Sequence, residues 1–240
     1  MRREGPALAF ALVYPTLLAW FYFVLLAGGG GTVNPAQRAV YGAGKALQFA
    51  LPLLFCWWFD ACLPRPGRPR FDRLLTGVAF GLVVVAGMFA LYFGALRGTK
   101  LLAKTPEQIA HKLHEFGLTT PAAYLGLSAF LAVLHSFLEE YYWRWFVFGR
   151  LRRHLAFAPA AALASLAFMA HHVIVLAVFL PGYFWPAVVP LSLCIAAGGF
   201  VWAWLYERTG SIYAAWLSHL LIDAGILAIG YDLLRGTLFA

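Results

Sequence analysis

Charge is scarce in this sequence. Asp, Glu, Lys and Arg make up 12% of its 240 residues, while 62% are hydrophobic. A soluble globular domain carries about 25% charged residues, so the balance excludes a soluble fold and indicates an integral membrane protein. No long polar linker divides the chain, which argues for one membrane domain over residues 1–240. Cysteine is also rare. Cys56, Cys62 and Cys194 form neither a CxxC pair nor a metal-binding spacing and read as packing residues. The net charge of +8 does not point to nucleic acid, because arginines that flank apolar spans are the ordinary topology signal of membrane proteins.

What the chain does have is a succession of long apolar runs. Residues 7–27 exceed the about 7–15 apolar residues of a signal peptide and predict a retained first span. Further spans are expected over 40–63, 74–96, 121–149, 155–180, 186–206 and 211–234. Lys45, near the outer end of the second, is expected to snorkel. The stretch from Gly28 to Gly31 and the arginine- and proline-rich run from Pro64 to Arg73 predict loops. Between the third and fourth spans, Thr105-Pro106-Glu107-Gln108 reads as a capping box. Ile109, Leu113 and Phe116 continue one apolar face up to Gly117, which predicts a short amphipathic helix on the membrane surface. The expected fold is an all-α polytopic helical bundle of seven spans, or eight if a long segment is split. With the N-terminus inside, ten flanking arginines fall on the inner side and six Arg or Lys on the outer, which predicts a cytoplasmic N-terminus.

The segments divide into two parts. Residues 1–96 supply three spans nearly free of ionisable groups and read as a scaffold. Residues 121–234 carry His135, Glu139, Glu140, Arg144, His171, His172, His219 and Asp223. A charge near the bilayer centre costs at least ~2.5–3.5 kcal/mol, so such residues mark functional sites by default. Glu139, His172 and His219 each fall within about six residues of the middle of their span, roughly 9 Å at a rise of 1.5 Å per residue. Glu140 and Arg144 are spaced i, i+4 with the acid first, the favourable order for an ion pair. Glu139 lies about 100° away, and its carboxylate is left for chemistry. His135 and His171 read as structural, His171 pointing off the Phe168–His172 face.

Glu139-Glu140-Tyr141-Tyr142-Trp143-Arg144, Phe168-Met169-Ala170-His171-His172 and His219-Leu220-Leu221-Ile222-Asp223 give EExxxR, FxxxH and HxxxD on successive spans. This order resembles the CPBP family, which includes type II CAAX prenyl proteases and the bacteriocin-processing or immunity proteins often called the Abi family. The resemblance covers about residues 121–234 and implies a catalytic helix bundle there. It implies an intramembrane endopeptidase acting on a membrane-associated protein or peptide, prenylated or carrying a C-terminal sorting tail. It also implies a bacterial or archaeal plasma membrane. Glu139, His172, His219 and Asp223 take the catalytic positions, with Glu140, Arg144 and Phe168 as structural support. Glu139 would activate water with the help of His172, and His219 with Asp223 would face the carbonyl oxygen. The family is described both as metalloprotease and as metal-free glutamate protease; in the zinc version His172, His219 and either Glu139 or Asp223 would be the ligands. CAAX-like members carry Asn where this chain has Asp223, so Asp223 would be protonated, orient His219 through a ring N–H, or bind metal. Two competing readings remain at this point: a non-catalytic immunity or scaffold protein, and a proton-coupled transporter using the same groups as relays.

Overall fold

Apolar stretches of this length have to satisfy every backbone polar group internally when no water is present, and the helix is the solution available to a single segment. A computed structural model of the protein describes residues 4–26, 34–59 and 71–238. Its helices are α1 (Gly5–Leu26), α2 (Pro35–Trp58), α3 (Arg73–Leu96), α4 (Thr105–Glu115), α5 (Pro121–Leu151), α6 (Phe157–Phe179), α7 (Phe184–Thr209) and α8 (Tyr213–Leu234). All but α4 are long and apolar enough to cross a membrane. Among the described residues there are seven such helices and no strand. The protein is an integral membrane helical bundle. Its outward side chains are apolar, with Trp57, Trp58 and Trp185 about three-quarters exposed, as a lipid-facing surface requires.

Helix ends follow local chemistry. Asn34 caps α2 by accepting from the backbone N–H of Gln37, while the Gln37 side chain accepts from the N–H of Asn34. Thr120 caps α5 through Ala123. Gly210 ends α7 with φ at 64°, a left-handed conformation that favours glycine. The capping box expected at Thr105 does not form. The Thr105 hydroxyl instead donates to the carbonyl of Phe179, which ties α4 to the end of α6. The glycine loop at 28–31 and residues 64–70 of the proline-rich run lie outside the described residues, while Phe71 to Arg73 already belong to helix. Lys45 also differs from expectation. With α2 running from Pro35 to Trp58, it sits near the middle of its span rather than at the outer end.

Packing sets the frame of the site. α3 lies along α8, α6 along α7, and α1 against α6. Gly77 and Gly81, spaced four apart on α3, face α8. A Cβ on Gly77 would overlap the Ala214 backbone, and one on Gly81 would sit 3.1 Å from the Ser218 Cα. Small residues at this spacing let two membrane helices approach backbone to backbone. Ser218 precedes His219, so α3 fixes the position of one polar residue of the site. α1 is pinned by the Tyr142 hydroxyl, which donates to the Ala11 carbonyl at 2.6 Å. On one side of the bundle Arg73 donates to the Arg208 carbonyl and Arg152 pairs with Glu207. On the other, Arg97 pairs with Asp232.

Candidate active site

The polar stretch of α5 is buried: Glu139 is 3% exposed, Glu140 0% and Arg144 2%. Around it the helix widens into π-type turns over Phe130–His135 and Tyr141–Phe148, leaving a short α-helical segment, Ser136–Glu140, that carries both acids. Such wide turns occur often at functional sites.

Glu140 and Arg144 form the expected ion pair, Oε1 to Nη1 at 3.2 Å. The guanidinium is held from several directions. Its Cζ lies 4.8 Å from the ring centroids of both Phe168 and Trp202, and Nη2 donates to the Gly199 carbonyl at 3.4 Å. Gly199 leaves the room for this, since a Cβ there would come within 3.2 Å of Nη2. Glu140 has a second role that the i, i+4 spacing does not reveal. Its Oε1 lies 2.8 Å from His219 Nδ1. A carboxylate can only accept, so Nδ1 carries the proton and the ring presents Nε2 to the other side. Trp202 stacks on His219 with ring centroids 4.2 Å apart and is steadied by its own N–H bond to the Ser218 hydroxyl at 3.0 Å.

His219 Nε2 faces Glu139 Oε2 at 3.7 Å and Asp223 Oδ1 at 3.5 Å. The orienting bond to the ring N–H comes from Glu140, and Asp223 stands at the opposite nitrogen. Glu139 is not an isolated carboxylate. Besides His219, its Oε1 lies 3.7 Å from His171 Nε2 and 3.9 Å from His135 Nε2. His135 and His171, which read as structural from sequence, are the histidines that stand with His219 at ion-pair distance. His172 is adjacent, its ring 4.1 Å from that of His171, but among the described residues it makes no ion pair with Glu139. Its Nδ1–H donates to the Phe168 carbonyl at 2.9 Å, which in the neutral ring leaves Nε2 as an acceptor. Phe168 packs edge-on against His171 and His219 and at a tilt against His172, and forms the apolar wall of the cluster.

In the zinc alternative the ligands would be His172, His219 and either Glu139 or Asp223. Among the described residues no group of three or more His, Cys, Asp or Glu side chains is placed to hold a metal ion. Zinc holds its nitrogen and oxygen ligands at about 2.0–2.2 Å and so draws them towards a single point. His219, Glu139 and Asp223 converge, but His172 does not join them.

The sequence thus points to Glu139, Glu140, Arg144, Phe168, His219 and Asp223, which share one cluster; it assigns His135 and His171 a structural place although both face Glu139, and it does not reveal Trp202 and Gly199. The adjacent Gly198-Gly199 pair three residues before Trp202 was the available signal for a close approach on α7.

Residues 121–225 match the family model for type II CAAX prenyl endopeptidase Rce1-like proteins. Among curated proteins, the apolipoprotein N-acyltransferase of Agrobacterium fabrum is 31% identical over 123 residues, covering 48% of this chain and 21% of that protein. The chain therefore spans about a fifth of the length of that relative. No solved structure matches.

Proposed function

We propose that the protein belongs to the type II CAAX prenyl endopeptidase Rce1-like family that residues 121–225 match, and that it is an intramembrane endopeptidase that hydrolyses a peptide bond near a lipid-modified or membrane-bound C-terminus. The observation that carries the reading is Glu139, a carboxylate buried in a membrane span and surrounded by His135, His171 and His219 from three helices. Hydrolysis needs a base for water and a donor for the oxyanion. Glu139 removes a proton from water as the oxygen attacks the carbonyl carbon. It then returns that proton to the leaving amine when the C–N bond breaks. His172, through its free Nε2, holds the water. His219, fixed by Glu140, turns Nε2 towards the carbonyl oxygen and, as an imidazolium, donates to the oxyanion. Asp223 supports the same nitrogen. Arg144, Glu140 and Phe168 keep this geometry rigid.

The family match does not favour the scaffold or transporter readings. The arginines on the side of Arg73, Arg152 and Arg208 support a cytoplasmic N-terminus, and we place the protein in a bacterial or archaeal plasma membrane. The test compares newly formed protein termini, by terminus-selective mass spectrometry, in membranes carrying wild type or Glu139→Gln. Termini found only with wild type are expected, and they would name the substrate. Matching profiles with both proteins expressed would return the cluster to the scaffold or transport readings. Cleavage that survives exhaustive chelation is expected of the glutamate mechanism; loss restored by zinc alone would replace it with the metal version.

A further inference from the structure

None of the three motifs places a residue on α7. Yet Trp202 of that helix is 4% exposed and meets side chains of α5, α6 and α8. Its indole lies against the His219 ring with centroids 4.2 Å apart and planes within 16° of parallel. Its Nε1–H donates to Ser218 Oγ at 3.0 Å, and Ser218, fully buried, is the residue before His219 on α8. Arg144 Cζ stands 4.8 Å from the centroid of the same indole. Phe168 packs against it at 76°, with centroids 5.9 Å apart. The indole is thus tied to α8 by a hydrogen bond and to α5 by a cation–π contact. Any turn of its plane would weaken one or the other.

This anchoring matters because of what Glu140 leaves undone. The bond from Nδ1 to Glu140 fixes one atom of the His219 ring, and the ring can still pivot about that bond. A pivot re-aims Nε2, the atom that faces the carbonyl oxygen in the endopeptidase reading. A parallel ring at 4.2 Å blocks the tilt on its side, since close-packed aromatic faces leave no free space. Resting on that reading, we propose that Trp202 is a positioning residue for the oxyanion: it sets the plane of His219 so that Nε2 donates to the carbonyl oxygen as that oxygen becomes negative. Oxyanion donors act at about 2.7–3.1 Å from the place where the charge develops, and a displacement of about 1 Å can cost about 100-fold in rate. The demand arises in the transition state and not in the bound substrate, so the indole serves kcat rather than KM. A tryptophan that only packed the bundle and held Arg144 would change the amount of folded protein and leave the activity of each folded molecule as it was.

The experiment uses the full-length protein in detergent, with the folded fraction measured for every variant. The substrate is a peptide built around a cleavage site from the terminus comparison. The probe is the same peptide with a tetrahedral phosphinate in place of the scissile amide. Trp202→Leu, which keeps an apolar side chain but no flat face, is expected to lower kcat per folded molecule by about 10- to 100-fold, with KM within about twofold of wild type. Its affinity for the phosphinate should fall by the same factor as kcat/KM. Trp202→Phe keeps a flat face without the Nε1–H and should recover most of the loss. Ser218→Ala frees the indole from α8 and should fall between wild type and Trp202→Leu. A kcat for Trp202→Leu within about twofold of wild type, or a fall in kcat with unchanged phosphinate affinity, would overturn the proposal and leave the endopeptidase intact. So would a Trp202→Phe protein no more active than Trp202→Leu. Should Trp202→Leu fail to fold, Ser218→Ala decides: wild-type kcat and phosphinate affinity in that variant would overturn the proposal. Absence of any wild-type-specific terminus would instead overturn the endopeptidase reading on which the proposal rests.

Discussion

The two parts of the bundle treat polar side chains differently. From α5 onward each mid-depth charge meets a counter-group inside the protein: Arg144 meets Glu140, Glu140 also meets His219, and Glu139 meets three histidines. In α1 to α3, Lys45 is the mid-depth charge among the described residues, and it meets an aromatic ring. Polarity in a membrane span is therefore not one signal. A network closed on itself holds its own groups in place, whereas the polar group at the same depth in α2 has no carboxylate at ion-pair distance among the described residues.

The sharpest way to probe the closed network is at the two histidines of α6, where sequence motif and contact geometry point to different residues. His172 completes the FxxxH pattern and keeps Nε2 free, whereas His171 touches Glu139. If His172 holds the water and His171 only steadies Glu139, His172→Ala should lower kcat by about 10²–10⁴-fold, the usual contribution of a group acting in proton transfer. His171→Ala should cost less. The opposite ranking, measured with a lipidated peptide under saturating conditions, would move the water to His171.

A smaller effect separates the two acids. Glu140→Ala leaves both Arg144 and the His219 Nδ1–H without their partner in a fully buried place. Breaking a buried pair on one side costs about 3–5 kcal/mol, so this variant should unfold at clearly lower denaturant or temperature than wild type. Glu139→Gln, which keeps shape and volume, should melt close to wild type. Equal melting of the two variants would mean that Glu140 is as replaceable as its neighbour and that Arg144 is held mainly by Phe168, Trp202 and Gly199.

Most of the fold was legible because the bilayer imposes a length and an apolar composition on each span. The ends that moved did so for local reasons. Asn34 caps α2 six residues before the predicted start of the span at residue 40, and this shift carries Lys45 from the expected snorkelling position to mid-depth. The Glu140–Arg144 pair was readable because both residues lie on one helix, where periodicity fixes their faces. The contact of His171 with Glu139 and the hydrogen bond from His219 to Glu140 each join two helices, and their geometry depends on the rotation of α6 and α8 about their axes. Single-helix periodicity does not determine that rotation. His171 and His172 differ by about 100° around α6, so a modest turn of the helix decides which of them meets the carboxylate.

The rotation of α8 has an identifiable cause in the part of the chain that read as scaffold. Gly77 and Gly81 bring α3 against the backbone of α8 at Ala214 and Ser218, immediately before His219. Gly77→Val should force the helices apart, with a cost of about 1–3 kcal/mol for overpacking, and should also lower cleavage by displacing His219 from Glu140. Gly87→Ala is the matched control, because a Cβ there meets nothing within 4 Å, and it should change stability by less than about 1 kcal/mol. Measured together, the two substitutions ask whether α3 merely lies beside the site or sets its geometry. If Gly77→Val lowers activity no more than it lowers the folded fraction, α3 contributes stability alone. If activity falls further than the folded fraction, the division between a scaffold of residues 1–96 and a catalytic bundle of residues 121–234 gives way at α3, whose glycines aim the histidine that α8 carries.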